Sequence, residues 1–517
     1  MSRGTGTIAR SVIAFGIIAT ALLAGACREP RTRSFVSVDA PVTAIAHVRV
    51  IDGTGSPARN DQTVVIREGR IQAVGSADAI APPRSAQIMD GRGRTLIPGL
   101  VGMHEHLFYQ AEEVGVPAQA AFARLYLASG VTTIRTAGTV DFKGDLRIKE
   151  RIDSGELPGP NVHVTGSYLN ARTAAPDPDA IAREVEAQAD RGATSFKAYM
   201  SLRTSELKAA IDAAHARGLR LTGHLCAVGF REAAAMGIDN LEHGLAADSE
   251  FYSDKQPDVC PNQGASVDEL RHADIVTDGG IHRTIADLVR HGVAVTSTLA
   301  IYESFTGDES AFDPRTRGVL NSWVRKVYDG KRPDWIDRDT PRARMWAAML
   351  TKEMQFERAF AAAGGQLLAG VDPTGWGGIV AGFGDQRELE LLVLAGFTPE
   401  AAIQVATSNG ADFLYEGDRI GTIAAGKQAD LVLVRGNPSA NISEVRNVEI
   451  VFKDGVGYDP AALIAATENA VGRDDWRHFL GWPLNIIPIT LVVILVERLF
   501  LRRFRPRRTV KQAVSAA

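Results

Sequence analysis

Cysteine is scarce in this chain, which has only Cys27, Cys226 and Cys260 among its 517 residues. Three cysteines are too few for the disulfide framework of a small secreted domain. The absence of a Cys-x-x-Cys pair argues against a structural zinc knuckle. Positive charge is not in excess either, because 57 Lys and Arg face 61 Asp and Glu, for a formal net charge of -4. A chain without a basic field is not expected to bind nucleic acid.

Apolar material is plentiful at 45% of residues, enough for a large globular core. The N-terminal end differs from the middle, because Arg3 and Arg10 precede an apolar run that ends at Cys27. This pattern predicts a secretory signal peptide over residues 1–27. The small residues before Cys27 resemble a bacterial lipoprotein cleavage box, although Ala24 stands where such boxes usually carry Leu. An uncleaved N-terminal anchor is the alternative.

The C-terminal end has a second apolar run, in which residues 479–496 contain no charged side chain. An arginine-rich segment follows it, which predicts a transmembrane helix over residues 479–498 and a basic cytoplasmic tail over 499–517. Both ends of the chain therefore predict a membrane-anchored protein whose main domain is extracytoplasmic, either periplasmic or on the cell surface. The alternatives are a buried terminal helix, or a cytoplasmic domain behind an N-terminal anchor.

The middle of the chain alternates predicted strands and helices. Eight such β/α units over residues 96–411 favour a (β/α)8 TIM barrel in the α/β class, with a doubly wound sheet as the competing topology. Short strands at 43–95 and 412–456 predict a small β-sandwich domain built from both flanks of the barrel, after a linker at 28–42. Two long connections, 245–281 and 300–342, are expected to lie over the active site.

The first candidate metal ligands are His104 and His106, shortly after the apolar run Leu96–Val101. Residues i and i+2 of a strand point to the same side, so both imidazoles can share one metal ion. A His-x-His pair alone is weak evidence, because most such pairs bind nothing.

Three further residues end or directly follow predicted strands, namely His224, His243 and Asp372. Active sites of (β/α)8 barrels are built at the C-terminal ends of the strands. Metal-ligating side chains that recur at this one position favour a metal site over a set of unrelated buried polar residues.

Lys197 lies inside an otherwise apolar predicted strand. A buried ammonium group is costly unless it is paired or chemically altered, and it would repel a metal ion. A lysine carboxylated by carbon dioxide becomes an anionic carbamate with two oxygens that can bridge two divalent ions. A lysine paired with a nearby carboxylate is the alternative.

Three segments carry a family resemblance: PGLVGMHEH at 98–106, NLEHG at 240–244 and GKQADLVL at 426–433. Together with the organisation of residues 43–456, they resemble the amidohydrolase superfamily, with imidazolonepropionase-like and Xaa-Pro-dipeptidase-like enzymes as the nearest branch. The resemblance implies a metal-dependent (β/α)8 barrel with a β-sandwich made from both flanks.

The resemblance also implies a binuclear centre. His104 and His106 would bind the more buried divalent ion, and His224 and His243 the more exposed one. Carboxylated Lys197 would bridge the two ions. Four neutral histidines with anionic oxygen ligands suit Zn²⁺, with Mn²⁺ or Fe²⁺ as alternatives.

In such a site Asp372 would ligate the buried ion and act as general acid/base while a metal-activated hydroxide attacks. The expected reaction is hydrolysis of an amide or peptide C–N bond in a small molecule or dipeptide. The membrane is the other expected partner, through the C-terminal helix and a lipid on Cys27. A lactone or other ester hydrolase, or a non-catalytic extracytoplasmic binding protein, is the alternative.

The chain departs from the family pattern at two positions. Many relatives have Asp where this chain has Gly102, which changes the support of the ligands and not the ligation. Dipeptidase-like relatives often have Tyr or His where this chain has Cys226, so polarisation of the substrate carbonyl would fall to another side chain. The candidates for substrate binding are Tyr168, Tyr199 and His163. Two arginines, Arg135 and Arg387, are candidates for binding a substrate carboxylate, with pairing at the protein surface as the alternative.

Overall fold

The computed structural model describes residues 32–472, apart from 112, 113, 172, 174 and 375–377. The predicted signal peptide with Cys27, the predicted transmembrane helix at 479–498 and the predicted tail at 499–517 lie outside the described residues. Within the described part, every helix is too short or too polar to cross a bilayer.

The described strands form a flanking β-domain, a central region of parallel strands and one separate two-stranded antiparallel sheet. In chain order they are β1 (Val36–Val38), β2 (Val42–Val50), β3 (Arg59–Arg67), β4 (Arg70–Ser76), β5 (Gln87–Asp90), β6 (Arg94–Pro98), β7 (Leu100–Glu105), β8 (Phe108–Ala111), β9 (Val114–Pro117), β10 (Val131–Thr136), β11 (Asn161–His163), β12 (Ser195–Ala198), β13 (Arg220–Gly223), β14 (Asn240–Glu242), β15 (Ala294–Ser297), β16 (Leu367–Ala369), β17 (Leu431–Arg435), β18 (Val448–Lys453) and β19 (Val456–Tyr458).

The described α-helices follow the parallel strands. In chain order they are α1 (Gln119–Ala128), α2 (Phe142–Asp153), α3 (Pro178–Asp190), α4 (Thr204–Ala216), α5 (Phe230–Met236), α6 (Gln263–Leu270), α7 (Gly279–His291), α8 (Leu299–Glu303), α9 (Thr316–Val319), α10 (Ser322–Trp335), α11 (Pro341–Ala362), α12 (Phe383–Leu394), α13 (Pro399–Val405), α14 (Ser408–Phe413) and α15 (Pro460–Ala465). Several of these helices begin at a residue whose side chain caps the free backbone N–H groups. At the start of α2, for example, the Asp141 side chain accepts a hydrogen bond from Gly144 N.

The flanking β-domain is one nine-stranded sheet with strands from both ends of the chain. Its order is β1-β19-β18-β17-β6-β2-β3-β4, and β5 pairs with β2. The sheet differs from the predicted sandwich boundaries, because β1 lies within the predicted linker at 28–42 and pairs with β19. The antiparallel pairing of β6 with β17 joins residues more than 300 positions apart, which fixes both flanks of the central region to each other.

Eight strands of the central region run parallel, in the orders β11-β10-β7 and β12-β13-β14-β15-β16. An isolated parallel bridge between Thr165 and Ser195 links the first group to the second. At the other edge, Val371 N donates to His104 O at 3.2 Å. Strands β7, β10, β12 and β15 are buried along their whole length, as expected for parallel strands with both faces covered. This arrangement is consistent with the predicted TIM barrel, and it points all eight C-terminal ends the same way.

Candidate metal centre

Four histidines meet at the C-terminal ends of the parallel strands. The ring centroids of His104 and His243 lie 4.4 Å apart, as do those of His224 and His243. His106 lies 5.4 Å from His104 by the same measure. Ligand atoms of His104, His243 and Asp372 all lie within 4.8 Å of one another, close enough to bind one metal ion. The fold therefore brings together side chains that lie at or just after the C-terminal ends of β7, β13, β14 and β16.

Asp372 faces the two histidines of β7. Its Oδ1 lies 3.0 Å from His106 Nε2 and 3.6 Å from His104 Nε2. Burial opposes ionisation of Asp372, but the two imidazoles outweigh it and hold the pKa of this carboxyl well below its usual range. Asp372 is therefore a carboxylate at neutral pH, which is the form that accepts a proton or binds a cation.

Two members of the centre have a left-handed backbone. His243 has φ 71° and Asp372 has φ 52°. Such angles are uncommon for residues other than glycine, and they cluster at functional sites. Each of these residues comes just after a buried strand, and the turn redirects its side chain across the strand ends.

Three of the four histidines, His106, His224 and His243, favour the neutral imidazole form. Burial, reinforced by Lys197, lowers the pKa of His224 to about 3. Burial also lowers the pKa of His106 and holds the pKa of His243 well below its usual value. A neutral imidazole has a free lone pair, which is the form that coordinates a metal.

Lys197 lies at the bottom of the same site, 1% exposed. Its Nζ has no hydrogen-bond partner among the described residues, and Glu242 Oε1 is 3.6 Å away. Burial lowers the pKa of Lys197 to about 8, although Glu242 opposes the shift. A lysine with a depressed pKa loses its proton more readily, and the unprotonated amine is the form that carbon dioxide can carboxylate.

Glu242 organises the layer beneath the ligands, a role that sequence reasoning missed. Its Oε2 lies 2.8 Å from His104 Nδ1, and its Oε1 accepts hydrogen bonds from Arg135 at 2.7 Å and from Thr222 Oγ1. The carboxylate fixes which nitrogen of His104 faces the centre. Arg135 is therefore not a substrate-binding residue: it is a buried ion-pair partner that also donates to Met103 O at 2.8 Å.

The centre opens into a cavity of about 650 Å³. Tyr168 and Tyr199 line it, with ring centroids 4.9 Å apart. The third predicted substrate residue, His163, does not line the cavity; its Nε2 lies 3.4 Å from Glu416 Oε1, because β11 ends before the strand ends that form the site. Arg387 does not line the cavity either. Its guanidinium forms ion pairs with Glu303 and Glu390, each at 2.6 Å.

Comparison with known proteins assigns the family. The family profile described as Amidohydrolase family matches residues 95–304 and 365–457, more than half of the chain. The chain belongs to the amidohydrolase family. The match spans the strands that carry the centre and the C-terminal strands of the β-domain, and it confirms the resemblance found in the sequence.

Individual amidohydrolases match over shorter stretches. The chain is 32% identical to an enamidase from Eubacterium barkeri over 121 residues, which cover 23% of this chain and 29% of the enamidase. It is 38% identical to an imidazolonepropionase from Idiomarina loihiensis over 76 residues, 14% of this chain and 18% of that enzyme. These matches span less than a third of either relative.

A solved structure shows the likeness in fold over a longer stretch. The crystal structure of a Xaa-Pro dipeptidase with bound methionine in the active site has a TM-score of 0.60 at 21% identity. The comparison covers 81% of this chain and 100% of the dipeptidase chain.

This amidohydrolase carries a disulfide between Cys226 and Cys260, with a sequence separation of 34. Cys226 lies two residues after His224, and in the disulfide it has no thiol hydrogen to donate to a substrate carbonyl. The bond ties the turn behind His224 to the long connection 245–281. The sequence contains no local signal for this pairing, since it depends on how the connection folds back.

Two buried glutamates support the connections that leave the site. Glu353 of α11 accepts hydrogen bonds from Leu245 N at 3.0 Å and Ala246 N at 2.8 Å, and Glu388 of α12 accepts from Leu299 N and Ala300 N. The Glu353 carboxylate fills the space beside Gly244, where a Cβ atom would come within 1.9 Å of Oε1. With φ +62° and no room for a side chain, this position favours glycine directly after the candidate ligand His243.

Proposed function

We propose that this amidohydrolase hydrolyses an amide-type C–N bond in a small molecule or dipeptide, and that it does so with divalent metal ions. The observation that carries the proposal is the convergence of one full donor set at the ends of the parallel strands. The set comprises His104, His106, Lys197, His224, His243 and Asp372.

The donor set fits divalent metal ions by its chemistry. Four imidazoles, one carboxylate and one carboxylated lysine would offer nitrogen and oxygen ligands that suit Zn²⁺, with Mn²⁺ or Fe²⁺ as alternatives. The second ring nitrogens of three ligands are already occupied: His104 by Glu242, His106 by Gly138 O and His243 by Thr298 Oγ1. Such outer partners orient metal-binding histidines and select their tautomers. When bound, divalent ions lower the pKa of water and polarise a substrate carbonyl.

Asp372 is the proposed proton carrier. It is a carboxylate next to His106, partly open to the cavity, so it can accept a proton from the attacking water and deliver it to the leaving nitrogen. Tyr168 and Tyr199 are proposed to donate hydrogen bonds to the substrate. Burial raises the pKa of both phenols, so they keep their protons at neutral pH.

The proposal includes a closed barrel and an extracytoplasmic location. The Thr165–Ser195 bridge and the Val371–His104 hydrogen bond support closure of the two parallel sheets into one (β/α)8 barrel. The Cys226–Cys260 disulfide supports a location outside the cytoplasm, because structural disulfides persist mainly in oxidising compartments. Anchoring through residues 479–498 and a lipid on Cys27 remain proposals from the sequence.

The direct test is an assay of purified enzyme on Xaa-Pro dipeptides, other dipeptides, N-acyl amino acids and lactones. We expect cleavage of at least one amide, loss of turnover on chelation and recovery with Zn²⁺. The Asp372→Asn variant should lose about 100- to 10,000-fold in kcat, the usual contribution of a positioned acid/base. Asp179→Asn, on the exposed face of α3, is the matched control and should retain wild-type turnover. Full turnover by Asp372→Asn would refute the proposal.

A further inference from the structure

One side of the cavity is aromatic. Tyr302 and Trp346 stack with ring centroids 5.3 Å apart and an interplanar angle of 17°, and Phe305 lies 5.1 Å from Trp346. We refer to these three residues as the aromatic wall. All three line the cavity, although they come from two segments about 40 residues apart.

The aromatic wall starts at the metal centre. The Tyr302 hydroxyl donates a hydrogen bond to His243 O at 3.0 Å, and the rings of His243 and Tyr302 lie 6.2 Å apart. A substrate whose amide sits at the centre would therefore continue along a flat apolar surface. Flat surfaces of this kind favour a planar or apolar group through area burial and ring stacking.

The far end of the wall carries a cation. Arg342 lines the cavity, and its Cζ lies 5.2 Å from the Phe305 ring centroid. It is exposed, and among the described residues no carboxylate pairs with it. The other charged residues that the structure describes in the cavity lining, Lys197 and Asp372, belong to the metal centre. Among those described lining residues, Arg342 is thus the one charge that the proposed chemistry leaves unused.

The helix that bears Arg342 strengthens the positive potential there. α11 begins after the Thr340 cap, and its first turn contains no acidic residue, while Arg342 lies within that turn. A cation at a helix N-terminus is unfavourable, because the helix dipole already places partial positive charge there. An anion beside Arg342 would be attracted by both the guanidinium and the helix end.

We propose that the substrate carries an anionic group, such as a carboxylate, at the end remote from the scissile amide, and that Arg342 binds this group. A planar or apolar spacer between the two groups packs against the aromatic wall. This inference rests on the proposed amide hydrolysis for the placement of the scissile bond. It identifies Arg342 as a specificity-determining residue.

A pair of matched ligands tests the inference. 4-Acetamidobenzoate and 4-acetamidobenzamide share the amide and the flat ring, and only the first is anionic. Calorimetric titration of the full-length protein should show 4-acetamidobenzoate binding roughly 10- to 100-fold more tightly, as expected for a charge-assisted pair. Arg342→Gln should abolish this preference, because it should weaken the binding of 4-acetamidobenzoate and leave that of 4-acetamidobenzamide unchanged.

Arg344→Gln is the matched control, since Arg344 is also exposed on the first turn of α11 but does not line the cavity. It should keep the wild-type preference. Equal affinities for the two ligands in the wild type, or a preference that persists in Arg342→Gln, would overturn the inference. Binding is measured independently of turnover, so failure to cleave any amide would count against the proposed function and not against the role of Arg342.

Discussion

At the scale of single residues, the centre depends on one buried carboxylate. Glu242 is fully buried and is shared by His104, Arg135 and Thr222, with Lys197 nearby. Burial opposes its ionisation, but Lys197 and Arg135 outweigh that cost and hold the pKa of Glu242 well below its usual value. A buried charge is tolerated when several partners compensate it. Glu242, held by these partners, also orients the imidazole of the candidate ligand His104.

Glu242→Gln should therefore weaken metal binding without touching a ligand. The neutral amide loses the charge that orients His104 and balances Arg135. We expect metal affinity to fall by about 10- to 100-fold, measured by competition with a chromophoric chelator. Glu186→Gln, on the exposed face of α3, is the control and should bind metal as the wild type does. Unchanged affinity in Glu242→Gln would show that His104 is oriented by other contacts.

Glu353 makes stability depend on pH. Burial raises the pKa of Glu353 from 4.5 to about 8, and burial likewise raises the pKa of its neighbour Glu357 and sets that of Glu388 at about 7. Because the folded state holds the proton more tightly than the unfolded state, the stabilising contribution is complete below 4.5. It is lost as pH rises towards about 8.

Urea unfolding at a series of pH values checks this effect. The free energy of unfolding of the wild type should fall by on the order of a few kcal/mol across that window, from Glu353 together with its buried neighbour Glu357. Glu353→Gln cannot titrate, so its stability should decline less steeply over the same range. Parallel curves for the two proteins would mean that the pKa of Glu353 is the same in the folded and unfolded states, which would contradict the effect.

At the scale of elements, the disulfide couples a connection to a ligand-bearing strand. Cys226–Cys260 closes a loop with a sequence separation of 34 behind His224. Cys226→Ser with Cys260→Ser should lower the free energy of unfolding by about 2–4 kcal/mol. Urea denaturation without reductant measures this difference. Cys27→Ser keeps the disulfide and should unfold like the wild type. A double variant as stable as the wild type would show that the connection is held without the bond.

The sequence predicted the elements that carry ligands better than those that shape the substrate cavity. Hydrophobic strands ending in His224 or His243 are visible locally, because strand and ligand are adjacent in the chain. The stacking of Tyr302 on Trp346 and the capping of Leu245 by Glu353 join residues far apart in sequence. No spacing rule identifies such contacts before the long connections are folded.

The wrong predictions of substrate-binding residues have the same cause, namely contacts between residues far apart in the sequence. His163 is the last residue of β11, where it lies beside Glu416 and does not line the cavity. Arg135 was a candidate for binding a substrate carboxylate, but its guanidinium is paired inside the protein. The anion is supplied internally by Glu242, 107 residues later in the chain.

At the scale of the whole molecule, the predicted location outside the cytoplasm follows from the two ends and agrees with the disulfide. A fluorescent protein fused at Ala517 should fluoresce, because the C-terminus is predicted to be cytoplasmic. Alkaline phosphatase fused after Gly472 should be active, because that point is predicted to be extracytoplasmic. The reverse pattern of the two reporters would contradict the predicted topology.

The central claim is that the six converging side chains hold divalent metal. The most direct test is the metal content of protein purified without chelator, measured by inductively coupled plasma mass spectrometry and expressed per folded chain. We predict two divalent ions per chain, mainly zinc, falling to one or fewer when Lys197→Ala removes the bridging ligand. A folded wild-type protein that hydrolyses its substrate with no bound divalent metal would contradict the account.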